Sequence, residues 1–141
     1  ELLSLNRHLI YEQYYDTLFA CEQMLKIWQA VFHDENYLWY HNRIWSIYKT
    51  MAEVYAHRGE RENALSALRK AFHHAREFDG FPEGEHYTNM FLSALTSGRE
   101  HTMKGYAETD TELLRHNARE SAAFESLRGD PEFEALLESG E

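Results

Sequence analysis

Apolar residues in the first quarter of the chain recur at helical spacing. Ile10, Tyr14, Leu18, Cys21, Leu25, Trp28 and Phe32 follow one another at steps of three and four, which places their side chains along one face of an α-helix. No Gly or Pro occurs before residue 59, so the pattern predicts one long amphipathic helix over the first 33 residues. His33-Asp34-Glu35-Asn36 is the nearest polar punctuation, where the chain can turn and cap a second helix. That helix is predicted over about 36–57, with Leu38, Trp45, Tyr48, Ala52 and Tyr55 facing inward, and Gly59 ends it. A third, about 61–78, carries Ala64, Leu65, Leu68, Ala71, Phe72 and Ala75 as its buried stripe.

Beyond this the punctuation is denser. "DGFPEGE" at 79–85 holds two Gly and a Pro and reads as a loop. A fourth helix is predicted near 85–97, presenting Tyr87, Met90, Phe91, Ala94 and Leu95, followed by a loop at 98–109 with Gly98 and Gly105. A fifth, about 110–122, carries Leu113, Leu114 and Ala118. Asp130-Pro131 supplies an N-cap and a first helical residue, after which Phe133, Leu136 and Leu137 face inward on a short closing helix, about 130–138, before Gly140. No stretch alternates apolar and polar residues as a strand would. The fold class is therefore all-α, a single domain over residues 1–141 built of antiparallel helical hairpins.

One segment carries a resemblance. "WSIYKTMAEVYAHRGERENALSALRKAFHHAREF", residues 45–78, is similar to a tetratricopeptide repeat at Tyr48, Met51, Ala52, Tyr55, Gly59, Ala64, Leu68 and Ala71, with an aromatic at Phe72. Arg76 stands where a Pro usually follows the second helix. The resemblance implies a tetratricopeptide-like α-solenoid, in which small residues let the paired helices approach and the tail helix caps the last apolar face. More loosely, the long first helix, this repeat, "HYTNMFLSAL" and "AAFESLRGDPEFEALL" together resemble the C-terminal domains of bacterial Xre-family helix-turn-helix regulators. In that family an N-terminal helix-turn-helix binds DNA, and the repeat domain dimerises or senses a peptide or other small effector. Because the chain does not begin with Met, we expect a piece of a longer protein.

Charge narrows the partners. Asp plus Glu number 24 against 14 Lys plus Arg, a net charge of −10, which repels phosphate backbones, so no direct nucleic-acid contact is expected from this segment. Protonating all nine His would bring −10 to −1, although scattered surface His is the ordinary reading. Cys21 is the single Cys. An internal disulfide is thus impossible, and a reducing, cytoplasmic setting is expected. No apolar run reaches the roughly 18 residues of a membrane span.

Catalytic and metal motifs are weak. Cys21 lies on the apolar stripe of the first helix, where a buried inert thiol is expected rather than a nucleophile. There is no Gly-rich phosphate loop or nucleophile elbow. Glu83-x-x-His86 is one Glu-x-x-His where helical di-metal sites use two. His73 and His74 are adjacent on a helix and point about 100° apart. No enzyme activity, cofactor or metal is expected.

A binding surface has better support. All three Trp and seven of the nine Tyr fall at or before residue 55. Tyr37, Trp39, Tyr40 and Trp45 can grip a peptide or a flat effector, since such rings give large contact area for little lost rotamer freedom; the alternative is that they fill the core between helices. Asn42, Ser46, Lys49 and Glu53 form a polar stripe on the second helix, and the repeat alignment puts them on the concave face of a solenoid. An Asn there can donate to and accept from a peptide backbone at once; simple solvation is the alternative. His86, Asn89 and Ser93 make a parallel, weaker stripe on the fourth helix. The expected site is therefore Asn42, Ser46, Lys49 and Glu53 with Tyr37, Trp39 and Trp45 alongside.

The function expected is a non-enzymatic interaction domain, the effector-sensing and dimerisation part of an Xre-type transcriptional regulator. A tetratricopeptide-like scaffold for a protein partner, with no DNA-binding module, is the alternative. Phe19, Ile27 and Val31 spread the apolar surface of the first helix beyond one stripe, so the remainder is expected to pack on later helices or on a second chain in a homodimer.

Overall fold

The computed structural model describes residues 14–98 and 108–141. Among them are five α-helices: α1 (Tyr14–Val31), α2 (His41–His57), α3 (Arg61–Gly80), α4 (Asp110–Glu120) and α5 (Pro131–Ser139). Short 3-10 turns occupy Leu38–Tyr40 and Ala122–Leu127. No strand is present among the described residues, only an isolated bridge between His86 and Thr96. The part of the predicted first helix before residue 14, and most of the predicted loop at 98–109 with Gly105, lie outside the described residues.

α2 and α3 form an antiparallel hairpin with the most extensive helix contact in the fold. Gly59 makes the turn with φ 77°, a left-handed conformation that costs an L side chain energy and a Gly almost none. Ala52, Ala64, Leu65, Leu68, Ala71, Phe72 and Ala75 are completely buried, so small residues set the distance between the two axes. Ala64→Trp should overpack this contact and lower stability by about 1–3 kcal/mol or more. A thermal melt showing that variant unchanged would mean the register of the hairpin is wrong.

α1 packs on α2 through Leu18, Cys21, Leu25 and Trp28. On its other side Phe19 and Ile27 are more than 60% exposed and Met24 is also exposed. On the far side, α4 packs on α3. The Asp79 carboxylate near the end of α3 accepts from the backbone N–H groups of Asp110 (2.7 Å) and Thr111 (3.0 Å), satisfying donors that a helix start leaves open. The Ala122–Leu127 turn lies against α2.

α5 closes the molecule as its sequence predicts. Asp130 accepts from the Glu132 and Phe133 N–H groups and is gripped by Arg61 at the start of α3, 2.6 Å from its Nε. That guanidinium, with the cap bonds, holds the Asp130 carboxyl well below the usual carboxylate range, at about 2. At the other end Gly140 is left-handed, φ 73°. A Cβ there would come within 2.9 Å of Arg76 Nη1 and 3.4 Å of the Phe72 ring, so the tail lies against α3, and its left-handed backbone favours Gly.

Two expectations are corrected. The second helix does not begin at 36: Glu35 and Leu38 take left-handed backbone, φ 60° and 49°, and a helix cannot run through them. Asn36 is not its cap. Its side chain donates to the His86 carbonyl and the Thr88 hydroxyl, and Asp34 accepts from Thr88, so this turn anchors a segment fifty residues away.

The fourth helix at 85–97 does not form. Gly84 N–H donates to the Ser97 carbonyl and Ser97 N–H to that of Glu85, both at 2.8 Å. Asn89 Oδ1 accepts from Phe91 and Leu92 N–H, and Ser97 Oγ bonds the Pro82 carbonyl and Glu85 N–H. These side chains supply the backbone with partners that compete with a helix. Of the predicted face only Tyr87 is buried, while Met90 and Phe91 are more than 70% exposed and Leu95 is also exposed. The stripe of His86, Asn89 and Ser93 dissolves with the helix, and Asn89 turns inward.

Candidate functional site

The seven residues singled out for binding fall on several surfaces. Trp45 is buried and its indole N–H donates to Asp110 Oδ2 at 2.7 Å, tying α2 to the start of α4. Lys49 and Glu53 pair with each other at 2.6 Å and are only 21% and 15% exposed. Ser46 is exposed in a shallow depression that α1 contributes to through Thr17, Ala20, Cys21 and Met24. Tyr37 is buried at the α1–α2 turn. Trp39 and Asn42 remain, three residues apart where the 3-10 turn runs into α2.

Trp39 and Asn42 share an unusual state. Trp39 Nε1 and Asn42 Oδ1, like Asn89 Nδ2, are shielded from solvent and have no hydrogen-bond partner among the described residues. A buried polar atom left unpaired costs about 1–3 kcal/mol, so a donor and an acceptor three residues apart in the chain mark a place where a partner is missing. Trp39 also lines a groove of about 460 Å³ with Tyr40, Tyr87 and the stretch from Leu95 to Gly98. The exposed Met90 and Phe91 belong to the same irregular segment.

A second site was not legible as such. Between the C-terminal half of α1, the α1–α2 turn, α2 and α3 lies a cavity of about 350 Å³. Trp28, Tyr37, Ile44 and Tyr48 line it together with His41, His74, Glu35 and Glu77. His41 and His74 meet Nδ1 to Nδ1 at 2.9 Å, so one ring donates and the other accepts. His41 is 8% exposed. Burial pushes the two imidazoles down to about 4 and about 3, with each also feeling the neighbouring His73. Both are therefore neutral at pH 7. The signal for this pair was phase: His41 continues the inner face of Trp45 and Tyr48, and His74 lies between Ala71 and Phe78 on that of α3.

Cys21 is buried, and burial followed by Glu22 pushes its thiol up to about 11, which suits a packing role. Among the described residues no group of three or more His, Cys, Asp or Glu is placed to hold a metal ion, and no helix is long and apolar enough to cross a membrane. Comparison with family models, curated proteins and solved structures gives no match. The site's own geometry therefore carries the functional reading.

Proposed function

We propose that this chain is a tetratricopeptide-like interaction domain without catalytic activity, the effector-sensing and dimerising part of an Xre-type regulator, and that its effector is a short peptide bound beside Trp39 and Asn42. The observation that carries the peptide reading is the unpaired Trp39 Nε1–H at the groove formed with Tyr40, Tyr87 and Leu95, with the unpaired Asn42 Oδ1 three residues further along the chain. A peptide backbone offers a carbonyl to the first and an N–H to the second, and its side chains can cover the apolar lip. The exposed Phe19, Met24 and Ile27 on α1 support the dimerising part. The regulator assignment rests on the resemblance of the sequence.

The test is selection of heptapeptides from a random display library, followed by calorimetry on the peptides recovered. Trp39→Phe keeps the ring and deletes the donor, and Asn42→Ala deletes the acceptor. Each should weaken binding by about tenfold, the equivalent of ~1.4 kcal/mol for one lost hydrogen bond in a buried site, with melting temperature unchanged or raised. No enriched peptide, or affinities equal in wild type and both variants, overturns the reading.

A further inference from the structure

The cavity at His41 and His74 plays no part in the peptide reading, yet its walls have a consistent chemistry. Three aromatic side chains line it, Trp28 from α1, Tyr37 from the turn and Tyr48 from α2. Two carboxylates line it, Glu35 from the turn and Glu77 from α3. No Lys or Arg is among the side chains that line it. Glu35 is placed there by left-handed backbone, φ 60°, a conformation that a non-Gly residue adopts only when its surroundings hold it.

Such a wall selects charge. The face of an aromatic ring carries negative potential and attracts a cation, more strongly once water is excluded. Tyr48 already holds the Lys70 ammonium 5.6 Å from its ring centroid and stacks on His74, which leaves Trp28 and Tyr37 as the aromatic partners. The histidines add hydrogen-bonding capacity without charge. In the bonded pair one ring keeps a free nitrogen lone pair and the other a free N–H. An anion entering would meet two carboxylates in an acidic protein; a neutral apolar group would meet polar rims with no partner. A volume of about 350 Å³ is at the small end for ligand sites.

We propose that this cavity binds a small organic cation, an alkyl- or quaternary ammonium group, against Trp28 and Tyr37 with Glu35 and Glu77 as its counter-charges. The group can belong to a free metabolite or to a lysine side chain of another protein. Both present the same chemistry to these walls.

The experiment titrates the whole chain with choline, with its neutral isostere 3,3-dimethylbutan-1-ol, and with Nα-acetyl-lysine methylamide, at constant ionic strength, following Trp28 and Tyr37 by NMR. Choline should shift these residues and saturate, and the isostere should bind at least about tenfold more weakly, the loss expected when a desolvated cation–π contact and its charge pairing are removed. Glu35→Gln with Glu77→Gln, both at exposed positions, should weaken choline about tenfold with the melting temperature unchanged. Tighter binding of the lysine derivative than of choline would assign the group to a protein partner. Equal shifts from choline and the isostere, or none from either cation up to about 50 mM, more than tenfold above a millimolar Kd, overturn the proposal. Neither outcome touches the Trp39 groove, whose peptide binding is read separately.

Discussion

Phe72→Ala is expected to remove about 3–5 kcal/mol of stability, a large part of the ~5–15 kcal/mol that holds a domain of this kind together. Phe72 is completely buried on α3 within the larger of two apolar clusters, among Leu65, Leu68, Leu136 and Leu137. Its ring is also the surface against which the left-handed Gly140 rests. Truncation leaves a void that rigid helices on either side cannot fill, and it loosens the seat of the C-terminal tail. Urea unfolding should show a lower midpoint with an unchanged slope, the signature of lost stability without a change in the surface exposed. A loss under 1 kcal/mol would mean that the tail and α3 do not share one core.

Lowering the pH from 7.5 to 5 should destabilise the chain by on the order of 1–2 kcal/mol through His41 alone. The sign follows from the shift. A free imidazole titrates near 6.5, whereas burial holds folded His41 at about 4, so below about pH 6.5 the unfolded chain takes up protons that the folded one resists. The stabilisation is complete above about pH 6.5 and is lost as pH falls toward about 4. Less enclosed His74, at about 3, adds to it in the same direction. A first proton can go to the ring nitrogen that the pair leaves free; a second sets N–H against N–H across 2.9 Å. Around the pair stand Glu77 and His73 on α3, Glu35 and Tyr37 at the turn, and Tyr48 on α2. The measurement is urea unfolding at both pH values for wild type and for His41→Gln with His74→Gln. The variant should lose less than the wild type, and equal losses would show that the pair is not buried in neutral form.

What could be read from the sequence was whatever local chemistry decides. Gly59 turns because a left-handed residue is needed there, and Asp130-Pro131 starts α5 because cap and first residue act within three positions. The stripe from Ala64 to Ala75 is buried as its period predicts. Where distant contacts decide, the pattern misled. Residues 85–97 have helical spacing, but Asn89 and Ser97 take the backbone bonds, and Asp34 and Asn36 hold Thr88 from across the molecule. Leu38 is a residue no rule would assign to left-handed backbone. For the binding residues, Trp39 and Asn42 emerged from aromatic density and polar phase, whereas Trp45 satisfied its N–H on Asp110 and Lys49 closed on Glu53. The histidine pair was hidden because its members are 33 residues apart and only the hairpin brings them together.

The central claim, a peptide bound at the unpaired indole, has a direct measurement in the three tryptophan side-chain N–H resonances of a 15N-labelled sample. Trp45 is already bonded to Asp110, while the Trp39 N–H has no acceptor. Titration with a peptide recovered by display should move the Trp39 indole N–H downfield as it gains a carbonyl partner and leave that of Trp45 in place. A saturating peptide that leaves the Trp39 resonance where it was contradicts the account.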